Sequence, residues 1–132
     1  MAKEIIKTSN APAPIGPYNQ AVKSGNFLFI SGQIALDPTT GNLVMKDISE
    51  ETHQVMQNLS NILSEGGARF SSVVKTTIFL SDMELFVQVN EIYGSYFKSD
   101  NDQPPLFPAR ETVAVKGLPK NVNVEISMIA ML

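Results

Sequence analysis

A chain of 132 residues with 13 acidic and 10 basic side chains carries a formal net charge of −3 and no cysteine. It has the length for one domain with one modest core. It offers no basic patch for a nucleic-acid partner, no disulfide or thiolate chemistry, and no apolar run near the roughly 20 residues that span a bilayer. The start, Met1-Ala2-Lys3-Glu4-Ile5, lacks the apolar region of a signal peptide. The expectation is a single cytoplasmic domain over 1–132, without a membrane or nucleic-acid partner.

Residues 9–17 hold three prolines and a glycine, which predicts an ordered loop. Stretches 20–23 and 27–34 read as strands around Ser24-Gly25-Asn26, a hairpin signal, and Asp37 to Asn42 reads as a second turn. A helix is expected over 49–65, with Val55, Met56, Leu59, Ile62 and Leu63 on one face. Ser49 or Asp47 can cap it, and Gly66-Gly67 ends it. Residues 73–80, largely β-branched and aromatic, read as a strand. Ser81 and Glu84 match a capping box that opens a second helix over about 82–97, presenting Leu85, Phe86, Val89, Tyr93 and Phe97. Residues 98–105 read as a surface loop. Strands over 110–116 and 122–131, joined through Gly117-Leu118-Pro119-Lys120, close the chain.

The order is therefore β, ββ, α, β, α, ββ, an α+β arrangement with two amphipathic helices on one face of a mixed sheet. The last strand is apolar on both faces. Val122, Val124, Ile126, Met128 and Ala130 alternate with Asn123, Glu125, Ser127, Ile129 and Met131. Its second face needs a cover that this chain has no helix left to supply, so self-association through the open face is expected.

Two lone charges stand out in this apolar C-terminal part. Arg110 follows Phe107-Pro108-Ala109 on a strand face shared with Thr112 and Ala114. Its guanidinium suits a ligand carboxylate, an ion pair with Glu111 or Glu125, or a plain position at a surface edge. Glu125 is a general acid/base candidate whose pKa burial would raise, or half of a structural pair. Tyr18, after the rigid Ile15-Gly16-Pro17 turn, either lines a pocket or packs on a neighbour. Gly32, in Ser31-Gly32-Gln33, lets a ligand approach the backbone or marks a bulge. Asn90, between Val89 and Tyr93, reads as a plain helix-flank amide ahead of a residue that caps an interface or a site. The single histidine, His53, lies off the apolar helix stripe, so a metal site or a Ser-His-Asp triad is not expected, and no phosphate-loop pattern is present.

Seven pieces in order resemble the RidA/YjgF family of reactive-intermediate deaminases. They are Ala13-Pro14-Ile15-Gly16-Pro17-Tyr18, Ser31-Gly32-Gln33, Val74 to Phe79, Val89-Asn90-Glu91-Ile92-Tyr93, Phe107-Pro108-Ala109-Arg110, Leu118-Pro119-Lys120 and Val124-Glu125-Ile126. The resemblance implies a chorismate-mutase-like fold, assembled as a homotrimer around a central β-barrel with clefts between subunits. It implies hydrolysis of imines and enamines such as 2-aminoacrylate and 2-aminocrotonate to 2-keto acids and ammonia, with no metal or organic cofactor. By position, Arg110 would bind the substrate carboxylate and Glu125 would direct the attacking water. Tyr18, Ser31, Gly32, Asn90 and Thr112 would contact the ligand. Thr112 stands where many relatives have cysteine, Ser127 replaces a common acidic residue, and the 98–106 loop is longer than in many relatives. Two other readings compete: a sensor binding small 2-keto acids without turnover, and a ribonuclease or translation inhibitor, which the acidic balance disfavours.

Overall fold

Period-two alternation builds one mixed sheet from six strands. They are β1 (Glu4–Ile6), β2 (Ala21–Ser24), β3 (Phe27–Gln33), β4 (Val73–Leu80), β5 (Ala109–Ala114) and β6 (Val124–Met131), in the spatial order β1-β2-β3-β6-β4-β5. The structure, a computed structural model, describes residues 2–99, 101 and 103–132. Asp100 and Asp102 of the expected 98–106 loop therefore lie outside the described residues. β2 and β3 form the expected hairpin, turning through Gly25 at φ 58°. β4 and β5 run parallel and the other neighbours antiparallel. The parallel pair needs a crossover, which the second helix supplies. Among the described residues no helix is long and apolar enough to cross a membrane.

Helices α1 (Ile48–Glu65) and α2 (Phe86–Gly94) cover one face of the sheet. Of the two candidate caps for α1, Asp47 serves: its Oδ1 accepts from the Glu50 N–H at 2.8 Å. Gly67, at φ 82°, takes the left-handed turn beyond the helix end. The predicted stripe of α1 packs as expected, with Val55, Met56, Leu59, Ile62 and Leu63 buried against Leu28, Ile78, Val124 and Ile126 of the sheet.

The second helix departs from its prediction. Asp82, not Ser81, makes the cap, accepting at Oδ1 from the Glu84 N–H at 2.8 Å and heading a single 3-10 turn, Met83–Leu85. An aspartate oxygen reaches the N–H two residues on and so displaces the serine cap. Ser81 Oγ lies 3.0 Å from Asn123 Oδ1 and donates to it. The α-helical part stops at Gly94 rather than 97, and Phe97 N–H bonds the Gly94 carbonyl in a tighter turn.

The final strand also starts late, at Val124 rather than 122. The preceding turn puts Lys120 and Asn121 at φ 55° and 57°, and the N–H groups of Asn123 and Val124 are taken by a side chain. That side chain is Glu51, 1 % exposed in the first turn of α1. Its carboxylate accepts from the Asn123 N–H at 2.7 Å, Asn123 Nδ2 at 2.9 Å and the Val124 N–H at 3.2 Å. Such bonds to a charged group contribute about 1.5–3 kcal/mol each, and an orphaned buried donor costs about 1–3 kcal/mol. Glu51→Ala is therefore expected to lower the unfolding free energy by about 3 kcal/mol, read from urea unfolding; an unchanged midpoint would refute this pinning role.

The sheet face away from the helices carries the second set of apolar side chains. Phe27 and Phe29 of β3, Val113 of β5 and Met131 of β6 are all more than 40 % exposed there. This is the open face that the alternation of the last strand leads one to expect.

Candidate functional site

Arg110 sits on β5, the edge strand, and its side chain faces α2. Nη1 donates to Asn90 Oδ1 at 2.7 Å. The guanidinium carbon lies 5.2 Å from the Tyr93 ring centroid and 5.7 Å from that of Phe86. The cleft around it is lined by Asn90, Tyr93, Gly94, Phe107 and Pro108. Among the described residues no carboxylate pairs with Arg110. Glu111, one of the two candidates, turns to the other face, where Lys75 Nζ stands 3.0 Å away and the Thr77 hydroxyl donates to it. The Thr77 and Lys75 bonds hold the Glu111 carboxyl below its ordinary pKa. Asn90 is thus no plain flank amide: it orients the guanidinium.

Glu125 occupies a different cleft, with Ile15, Tyr18, Ser31, Gly32 and Pro119. Burial raises its carboxyl pKa above the ordinary value. At Gly32 an added Cβ would stand 2.8 Å from both Cδ and Oε2 of Glu125, so only glycine leaves room for that carboxylate. The β3–β6 register also shifts between Ile30 and Gln33, so the glycine marks a bulge, and the group that approaches its backbone here is the Glu125 side chain. Tyr18 is 45 % exposed, its hydroxyl oxygen accepting from the Ile15 N–H at 3.2 Å. Ser31 Oγ donates to the Asn19 carbonyl at 2.6 Å, which ties the bulge to the loop before β2.

The two clefts lie on opposite sides of the sheet. Glu125 pairs with Phe79, and Phe79 with Val113, so these three share the open face. Arg110 stands three residues before Val113 and so projects from the helix face. Strand spacing and rise add roughly 10 Å across the sheet and roughly 10 Å along it. Within one chain the structure groups Arg110 with Asn90, and Tyr18, Ser31 and Gly32 with Glu125, but does not bring the two groups together. Thr112 shares the Arg110 face of β5 but lines neither cleft; its Oγ1 is buried without a hydrogen-bond partner among the described residues. His53 is exposed at the helix edge, with Nδ1 2.7 Å from the Tyr96 hydroxyl.

Residues 8–132 match the family model described as Endoribonuclease L-PSP. A RutC family protein of Pyrococcus abyssi is 48 % identical over 98 % of each chain. The human 2-iminobutanoate/2-iminopropanoate deaminase is 44 % identical over 99 % of this chain and 91 % of its own. A crystal structure of a Rid-family protein of unknown function from Yersinia pestis superposes with a TM-score of 0.93, at 46 % identity, covering 99 % of this chain and all of that one. The chain belongs to the RidA/YjgF family.

Sequence reasoning about this RidA/YjgF chain missed the aromatic surroundings of Arg110. Phe86 and Tyr93 were assigned to the apolar helix stripe, and Tyr93 is indeed buried at 4 % exposure. A signal was present: Phe86, Asn90 and Tyr93 follow i, i+4, i+7 spacing, which puts an amide between two rings on one helix face. Glu51 gave no comparable signal, since acidic residues in a first helical turn are ordinary.

Proposed function

We propose that this protein hydrolyses reactive enamines and imines of 2-amino acids, such as 2-aminoacrylate and 2-aminocrotonate, to 2-keto acids and ammonia. The observation that carries the reading is the Arg110 guanidinium, held in an open cleft by an amide and two rings with no carboxylate partner among the described residues. That is a site for an anion of carboxylate geometry. The deaminase name of the human relative supports the same class of substrate.

The reading requires the two clefts to meet, and opposite sheet faces of one chain do not. A second copy can supply the other half. The exposed Phe27, Phe29, Val113 and Met131 of the open face support such an assembly. In this proposal the single domain, of chorismate-mutase-like fold, forms a cytoplasmic homotrimer around a β-barrel. Arg110 and Asn90 of one copy then face Tyr18, Ser31, Gly32 and Glu125 of another.

Arg110 anchors the substrate carboxylate and so orients the adjacent carbon. Glu125, protonated more readily because burial raises its pKa, gives its proton to the enamine carbon. The resulting carboxylate takes a proton from water as that water adds to the imine carbon. The carbinolamine then expels ammonia and leaves the keto acid. Added to a threonine dehydratase reaction, the protein is expected to speed release of 2-ketobutyrate. An unchanged rate would overturn the reading, and 2-ketobutyrate binding without acceleration would favour the sensor alternative.

A further inference from the structure

We infer that Tyr93 and Phe86 are positioning residues that set the carboxylate affinity of Arg110 by holding its guanidinium against two aromatic rings. This rests on the carboxylate-anchor reading and deepens it. The two ring centroids lie 5.2 and 5.7 Å from the guanidinium carbon, within the distance at which a ring quadrupole attracts a cation. Its hydrogen-bond partner among the described residues, the Asn90 amide oxygen at 2.7 Å, is neutral. The cation is thus steered by groups that leave its charge uncancelled. An acidic partner would hold the same geometry but would compete with the substrate.

Tyr93 is built to stay in place and to stay neutral. Its hydroxyl donates to Thr76 Oγ1 at 2.9 Å, and Thr76 is fully buried on β4. The Phe97 ring centroid lies 4.9 Å from that of Tyr93, and the Phe70 centroid 5.5 Å from that of Phe97. Burial pushes the phenol pKa up, against smaller opposing effects of Thr76 and Arg110. The group under the guanidinium is therefore a neutral ring. The hydroxyl fixes the ring and the ring fixes the arginine, two roles that substitution can separate.

The test is calorimetric binding of 2-ketobutyrate, with KM and kcat from the coupled dehydratase assay and melting curves on the same samples. Tyr93→Phe keeps the ring and loses the Thr76 bond; it is expected to melt lower yet bind within about twofold of the parent. Tyr93→Leu removes the ring and is expected to weaken binding and raise KM about 5- to 30-fold with kcat largely kept, the span from an exposed to a desolvated cation–ring contact. Phe86→Leu, at a half-buried position, should weaken binding in the same sense. Leucine variants that bind like the parent would overturn the inference while leaving the anchor reading intact. A parent protein that neither binds 2-ketobutyrate nor accelerates its release would overturn both.

Discussion

Arg110→Ala is expected to lower kcat/KM in the coupled dehydratase assay by at least about 100-fold while leaving melting and assembly near those of the parent. A charge-assisted bond to a substrate carboxylate contributes about 1.5–3 kcal/mol, and a guanidinium can make two in parallel. Each 1.4 kcal/mol is tenfold in rate. The fold survives because Arg110 is half exposed on an edge strand, its direct hydrogen bond is to the neutral Asn90, and no ion pair with it is found among the described residues. Arg110→Lys keeps the charge but loses the planar fork, so it should recover only a small part of the activity. Full activity in the alanine variant would eliminate the anchor.

Glu125→Gln is expected to slow turnover by about 100-fold, at the low end of general acid–base contributions because imine hydrolysis is already quick without a catalyst. The same change should raise the melting temperature at neutral pH. The sign follows from burial, which lifts the folded-state pKa of Glu125 above its ordinary 4.5. Between those two values the folded state binds more protons than the unfolded one, so stability falls as pH rises through the window. Above the window the buried charge is a standing cost that glutamine removes. Below 4.5 both states are protonated and the gain should vanish. A melting gain that persists in acid would show that packing, not charge, is responsible. Mixing Arg110→Ala with Glu125→Gln subunits offers a joint check: sites closed between copies should regain activity in mixed assemblies, and sites within one chain should not.

These two charges show how far the sequence reaches and where it stops. Their identities are legible because each interrupts an apolar stretch, and the order of the surrounding pieces carries the family. The α1 stripe, the β2–β3 hairpin and the alternation of β6 are legible for a related reason: period and turn chemistry are local properties of neighbouring residues. Local reasoning fails where two local options compete. Ser81 and Asp82 both suit the start of the second helix, and only the reach of the Asp82 oxygen to the Glu84 N–H decides between them.

The rest depends on strand order. By itself the sequence determined two amphipathic helices, a mixed sheet with one open apolar face, and a short list of candidate site residues. The tertiary structure alone decided that β6 lies between β3 and β4, and that β5 is an edge beside β4. That placement puts Glu125 against Gly32 on the open face and Arg110 near two rings on the helix face. It also buries Glu51 against Asn123 and Val124, 72 and 73 residues away in the chain. Which strands become neighbours is settled by burying the whole set of apolar faces at once, a sum over distant residues that no window of sequence contains.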